Sequence, residues 1–212
     1  MAKAKKNFKL SRTINGITYV DSKAYQPHVR AKRGTYTPIS LANGMKTSAV
    51  EQSRANLMAK IVFDAVHNFA PNFKDGKFWS RLVSVFRQLI KERDDNGYTL
   101  LQGMDVRPDY AMSKHGSFVL NHKHDNIQLK YRFMVDSPFR LSILRIATDQ
   151  SMLIPYPEEV ISREIGQEEA RFNFSPLPDG AQVLYVLKCE QLVEGKIQGL
   201  LSQKSVSFLR VS

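Results

Sequence analysis

The side chains whose types and spacing come nearest to chemistry are His115, His122 and His124, the last two in the run His122-Lys123-His124-Asp125. Two imidazoles at i and i+2 on a strand point to one face and could share a metal ion. Asp125 would point the other way, and no Cys-rich or Glu-rich motif stands nearby. The run is therefore expected to be a surface histidine cluster at a polar turn, with no metal. Cys189 is the single cysteine, on a strand-like stretch that puts Val183, Tyr185, Leu187 and Cys189 on one face. A catalytic thiol needs a base and an accessible, electropositive setting. Nothing local supplies either, so a buried core thiol is expected. The paired carboxylates Glu158-Glu159 and Glu168-Glu169 are expected to face solvent. There is no nucleophile elbow, phosphate-cradling glycine loop or dinucleotide fingerprint. The residues thus give no reason to expect an enzyme, a cofactor or a small-molecule substrate.

Charge is the stronger signal. The chain carries a net charge of +11 over 212 residues. Residues 1–46 hold ten basic side chains and one acid, Asp21, a net of +9; residues 47–97 carry +2, and residues 98–212 are neutral. Such asymmetry marks a cationic arm on a neutral body. Its cations (Lys3, Lys5, Lys6, Lys9, Arg12, Arg30, Lys32 and Arg33 among them) could neutralise phosphates or an acidic neighbour, and Tyr19, Tyr25 and Tyr36 could stack on exposed bases. A second cationic surface is expected on a helix bearing Lys77, Arg81 and Arg87, with Lys74 and Lys91 close by.

The elements that position these groups follow from periodicity. Within the arm, Asn15-Gly16 between two β-prone runs predicts a two-residue hairpin. Residues 21–46, with Pro27, Gly34, Pro38 and Gly44, read as an extended segment. Ser48 and Glu51 match a capping box at a helix start, and apolar residues from Val50 to Phe69 recur at helical spacing until Pro71. Asp75 can cap a second helix striped by Phe78, Trp79, Leu82, Val83, Phe86, Leu89 and Ile90. The short connection predicts an antiparallel helical hairpin over 47–97. Two helices alone cannot bury both stripes, so the remainder must meet the body or another subunit.

From residue 98 the period changes to two. Strands are expected near 117–121, 127–135, 139–147, 159–165, 169–174, 182–192 and 205–211. About seven short strands over some 115 residues suggest an antiparallel β-sandwich, with an immunoglobulin-like order one way to arrange them. The class expected is α+β: a basic extended arm (1–46), a helical hairpin (47–97) and a β-sandwich (98–212).

With 42% hydrophobic residues the chain can bury a core. One cysteine fits a reducing compartment. No apolar run nears the ~18–20 residues of a membrane span, and no apolar stretch follows the basic start, so a secretory signal is not expected. Together these lead to a cytoplasmic chain away from membranes. The function expected is a non-catalytic assembly protein, a homo-oligomer or part of a larger assembly. Its arm would reach a neighbouring subunit or a polyanion, with Ile14, Ile17, Tyr19 and Val20 supplying β-pairing. The alternative is a nucleic-acid-binding protein that grips phosphates with the arm and with the basic face of helix 77–91.

Overall fold

A computed structural model describes residues 12–21, 28–32, 42–92, 98–123, 126–134, 138–165 and 169–211. The chain divides into two compact units, Met1–Ser48 and Ala49–Ser212. In class it is mixed α+β, with helices and several antiparallel sheets, as the change of period predicts.

The first unit is built on a three-stranded antiparallel sheet, β1 (Arg12–Ile14), β2 (Ile17–Val20) and β3 (His28–Ala31), in the order β1-β2-β3. The expected hairpin forms: Asn15 and Gly16 have φ of 47° and 76°, the left-handed pair that a type I′ turn requires. β3 corrects the reading of residues 21–46 as simply extended. Four residues are too few to announce a strand, and β3 owes its existence to pairing with β2.

Helix α1 (Asn43–Phe69) begins five residues before the capping box. Met45 and Lys46 N–H groups both donate to the Ala42 carbonyl, so the first turn closes there. Farther along, the Thr47 and Ser53 hydroxyls donate to carbonyls four residues back, as hydroxyls inside a helix do. The Ser48–Glu51 pattern therefore lies within the helix rather than at its start. Pro71 ends α1 as expected, because a proline cannot continue the ladder. Asp75 caps the next helix, α2 (Phe78–Glu92), accepting from the Lys77 N–H at 3.0 Å.

The seven strand candidates after residue 98 all form: β4 (Gly116–Lys123), β5 (Asn126–Phe133), β6 (Phe139–Thr148), β7 (Glu159–Ile165), β8 (Glu169–Asn173), β9 (Gln182–Val193) and, after the two-residue β10 (Lys196–Ile197), β11 (Lys204–Phe208). β4-β5-β8 make one sheet. β9 lies at the heart of the other, pairing β6 on one side and β10 and β11 on the other, with β7 beyond β6.

Strand alternation lets this central sheet serve two cores. Leu144, Ile146, Leu184, Val186, Val206 and Phe208 join the buried residues of α1 and α2 in one cluster. The alternate residues, among them Phe139, Leu141, Ile143, Leu187 and Cys189, join Leu120, Ile127, Leu129 and Phe172 of the smaller sheet in a second. The helical stripes thus find the partner they lack in each other: Phe78 stacks on Phe208 at 6.3 Å between ring centroids.

Candidate functional site

The arm sheet has two chemically distinct faces, fixed by register. Arg12 lies opposite Tyr19 and Tyr19 opposite Val29; Ile14 lies opposite Ile17 and Ile17 opposite Ala31. Opposed residues share a face, so Ile14, Ile17, Tyr19, Val29 and Ala31 form one apolar face with Arg12 at its corner. The other face carries Thr13, Thr18, Arg30, Val20 and His28, and its Thr13 and Thr18 hydroxyls are 2.9 Å apart. None of the described residues of β1, β2 or β3 is buried; Ile17 keeps 42% of its surface exposed and Val29 37%. Arg12, Arg30 and Lys32 are also exposed. Lys3, Lys5, Lys6, Lys9 and Arg33 lie outside the described residues.

β2 is the central strand, paired on both sides. The main-chain pairing capacity of Ile17, Tyr19 and Val20 is thereby used within the chain, leaving their side chains as the groups that can meet a partner. Ile14 lies on β1, whose outer edge carries no strand among the described residues. Val29 and Ala31 belong to the apolar face and were missing from the sequence expectation. Their signal is the alternation in His28-Val29-Arg30-Ala31-Lys32, too short to read as a strand.

The three cations named on the second helix do not make one surface. Arg81 turns inward: its Nη2 donates to the Val106 carbonyl at 2.7 Å and lies 3.5 Å from Asp75 Oδ1, so it ties the start of α2 to the segment before β4. Lys77, ahead of the helix, is exposed. Six residues separate Arg81 from Arg87, which turns them about 120° apart around the axis. Arg87 instead faces a groove of about 750 Å³ between α1 and α2, lined also by Gln52, Asn56, Trp79 and Lys91. Trp79 meets Phe63 edge-on at 5.4 Å and is 38% exposed. Gln52 Nε2 donates to Asn56 Oδ1, and Gln88 Nε2 to Glu92 Oε1, each at 2.9 Å.

The groups nearest to catalytic chemistry are set in packing. His115 is buried against Phe139, edge-on at 5.9 Å, which corrects its place in a surface cluster. Burial, then Lys114, lowers its pKa. The His122 side chain, His124 and Asp125 lie outside the described residues, among which no group of His, Cys, Asp and Glu could hold a metal. Cys189 is fully buried, and burial, with Glu190 beside it, pushes its thiol up and away from the reactive thiolate. Glu158 is exposed, but Glu159 is half-buried, contrary to expectation. It pairs with Arg145 at 2.9 Å and accepts from the Ser175 N–H at 3.0 Å. The guanidinium also donates to the Ser175 carbonyl and lies 5.1 Å from the Phe174 ring. A carboxylate held this way fastens a loop rather than moving protons. Glu168 and the Glu169 side chain lie outside the described residues.

No helix among the described residues is long and apolar enough to cross a membrane. No protein-family model, curated protein or solved structure matches the chain.

Proposed function

We propose that the protein is a non-catalytic assembly component whose basic N-terminal unit engages a neighbouring subunit. In this reading the sheets of residues 116–208 act as a rigid β-sandwich-like module, and the working environment is the cytoplasm. The observation that carries it is the arm sheet: an apolar face of Ile14, Ile17, Tyr19, Val29 and Ala31 with no buried residue. A small sheet becomes stable by burying such a face against something else. The side chains of β2 and β3 would form the contact, while Arg12, Arg30 and Lys32 steer it toward an acidic surface.

The test is light scattering of the full chain over a concentration series at moderate salt. Concentration-dependent oligomers are expected, and Ile17→Glu with Val29→Glu should reduce them to monomer. A wild-type chain that stays monomeric at every concentration would overturn the proposal.

A second reading makes nucleic acid the ligand. What favours it is the exposure of Arg12, Arg30 and Lys32 in a unit whose one acid is Asp21. Fluorescence anisotropy with labelled oligonucleotides over a salt series tests it. Neutralising the three cations to Gln should lower the salt slope by about two to three. An unchanged slope counts against it.

A further inference from the structure

We propose that the groove between α1 and α2 binds single-stranded nucleic acid, one base stacked on Trp79 and the adjoining phosphates held by Arg87 and Lys91. This deepens the nucleic-acid reading by giving it a site outside the arm, and rests on that reading for the class of ligand alone.

Four observations carry it. Trp79 stands apart within α2: Phe78, Leu82 and Phe86 are fully buried, whereas Trp79, which lines the groove, is 38% exposed. Phe63 packs edge-on against it, and an exposed aromatic surface is what an unstacked base needs. Arg87 and Lys91 line the same groove one helical turn apart. Their step along the axis is ~6 Å, of the order at which phosphates recur along an extended strand. The opposite wall presents Gln52 and Asn56, which hydrogen-bond to each other at 2.9 Å and still carry further amide donor and acceptor capacity for base edges.

The competing occupants fit less well. A partner helix seats apolar anchors at successive turns, and here Val83 is the one aliphatic side chain beside the indole. Duplex nucleic acid keeps its bases stacked inside and offers none to Trp79. The acid at the end of the groove, Glu92, is engaged by Gln88. Among the residues lining the groove, Arg87 and Lys91 outnumber the one acid, Glu92, so its own charge favours an anion.

The experiment uses the intrinsic fluorescence of Trp79, the one tryptophan in the chain, as a reporter inside the site. The full chain is titrated with oligothymidylate and oligouridylate of about twelve nucleotides, and with a duplex of equal length, at ~50 and ~200 mM salt. Anisotropy of the labelled strands is followed in parallel. Quenching by the single strands, weaker at the higher salt and absent with the duplex, is expected. Trp79→Ala should weaken binding about fivefold or more, and Trp79→Phe should keep most of the affinity. Arg87→Gln with Lys91→Gln should reduce the salt slope by about 1.4. Lys91→Glu alters an exposed residue, so it tests the site even if Trp79→Ala fails to fold.

Anisotropy that rises without quenching, and is unmoved by the groove variants, would place nucleic acid on the arm and overturn the groove. Absence of binding to every strand would overturn both the groove and the nucleic-acid reading.

Discussion

The two antiparallel sheets built around β9 and around β2 use the same alternation to opposite ends. In the central sheet, β6 and β9 bury both faces, one against helices and one against β4-β5-β8. Six of the ten residues of β6 and eight of the twelve of β9 are accordingly apolar, more than a strand covered on one side needs. In the arm sheet the alternation is just as regular, yet no described residue is buried. Strand pairing alone does not make a stable sheet; a covered face does. The arm therefore has a well-defined register and little cohesion of its own, which is the state of an element that gains most of its stability on contact.

The contrast can be broken hardest in the body. Phe208 is 1% exposed, stacks on Phe78 and joins β11 to both helices. Phe208→Ala should cost about 3–5 kcal/mol, seen as a lower midpoint in urea with an unchanged slope. Next comes the ion pair that fastens residues 174–175. Glu159→Gln leaves the Arg145 guanidinium, 6% exposed, without its charged partner. The expected loss is about 2 kcal/mol, less than the ~3–5 of a fully buried pair, because Glu159 keeps 30% exposure. Ile17→Ala in the arm sharpens the comparison from the other side. On the assembly proposal it should change the stability of the body by no more than about 0.5 kcal/mol while raising the concentration at which any oligomer forms. A loss in the urea midpoint as large as that of Phe208→Ala would remove this contrast between the two sheets.

How much of this was legible follows the same division. β5 announces itself because apolar and polar residues alternate without a break from Ile127 to Phe133, a period that is hard to mimic. The Asn15-Gly16 turn was equally plain, since few residue pairs adopt two successive positive φ angles. β3 was hidden because its identity is set by β2 rather than by its own residues. The start of α1 was misplaced because a Ser and a Glu three apart satisfy a capping box and an ordinary helix interior alike. Among the site residues, Arg81 could not be told from Arg87 by sequence. Both are cations on one helix, and what separates them is the Val106 carbonyl, a neighbour twenty-five residues on that only the fold brings within 2.7 Å. His115 and Glu159 went astray for the same reason, each set inward against a residue of β6, Phe139 and Arg145.

The smallest expected effect is also the most specific to the way the second core is closed. His115 sits at its edge, against Phe139, and burial followed by the charge of Lys114 lowers its pKa from 6.5. Above that value the imidazole is neutral both in the folded chain and in the unfolded one, and it contributes no pH dependence. As pH falls through 6.5 toward the lower folded value, the unfolded chain takes up the proton and the folded chain does not. Stability must therefore decline across that window and level off once both states are protonated. The decline should be absent in His115→Gln, measured as urea midpoints between about pH 7 and pH 5. A wild-type decline that persists unchanged in the variant would assign it to other groups and leave the edge of this core insensitive to protons.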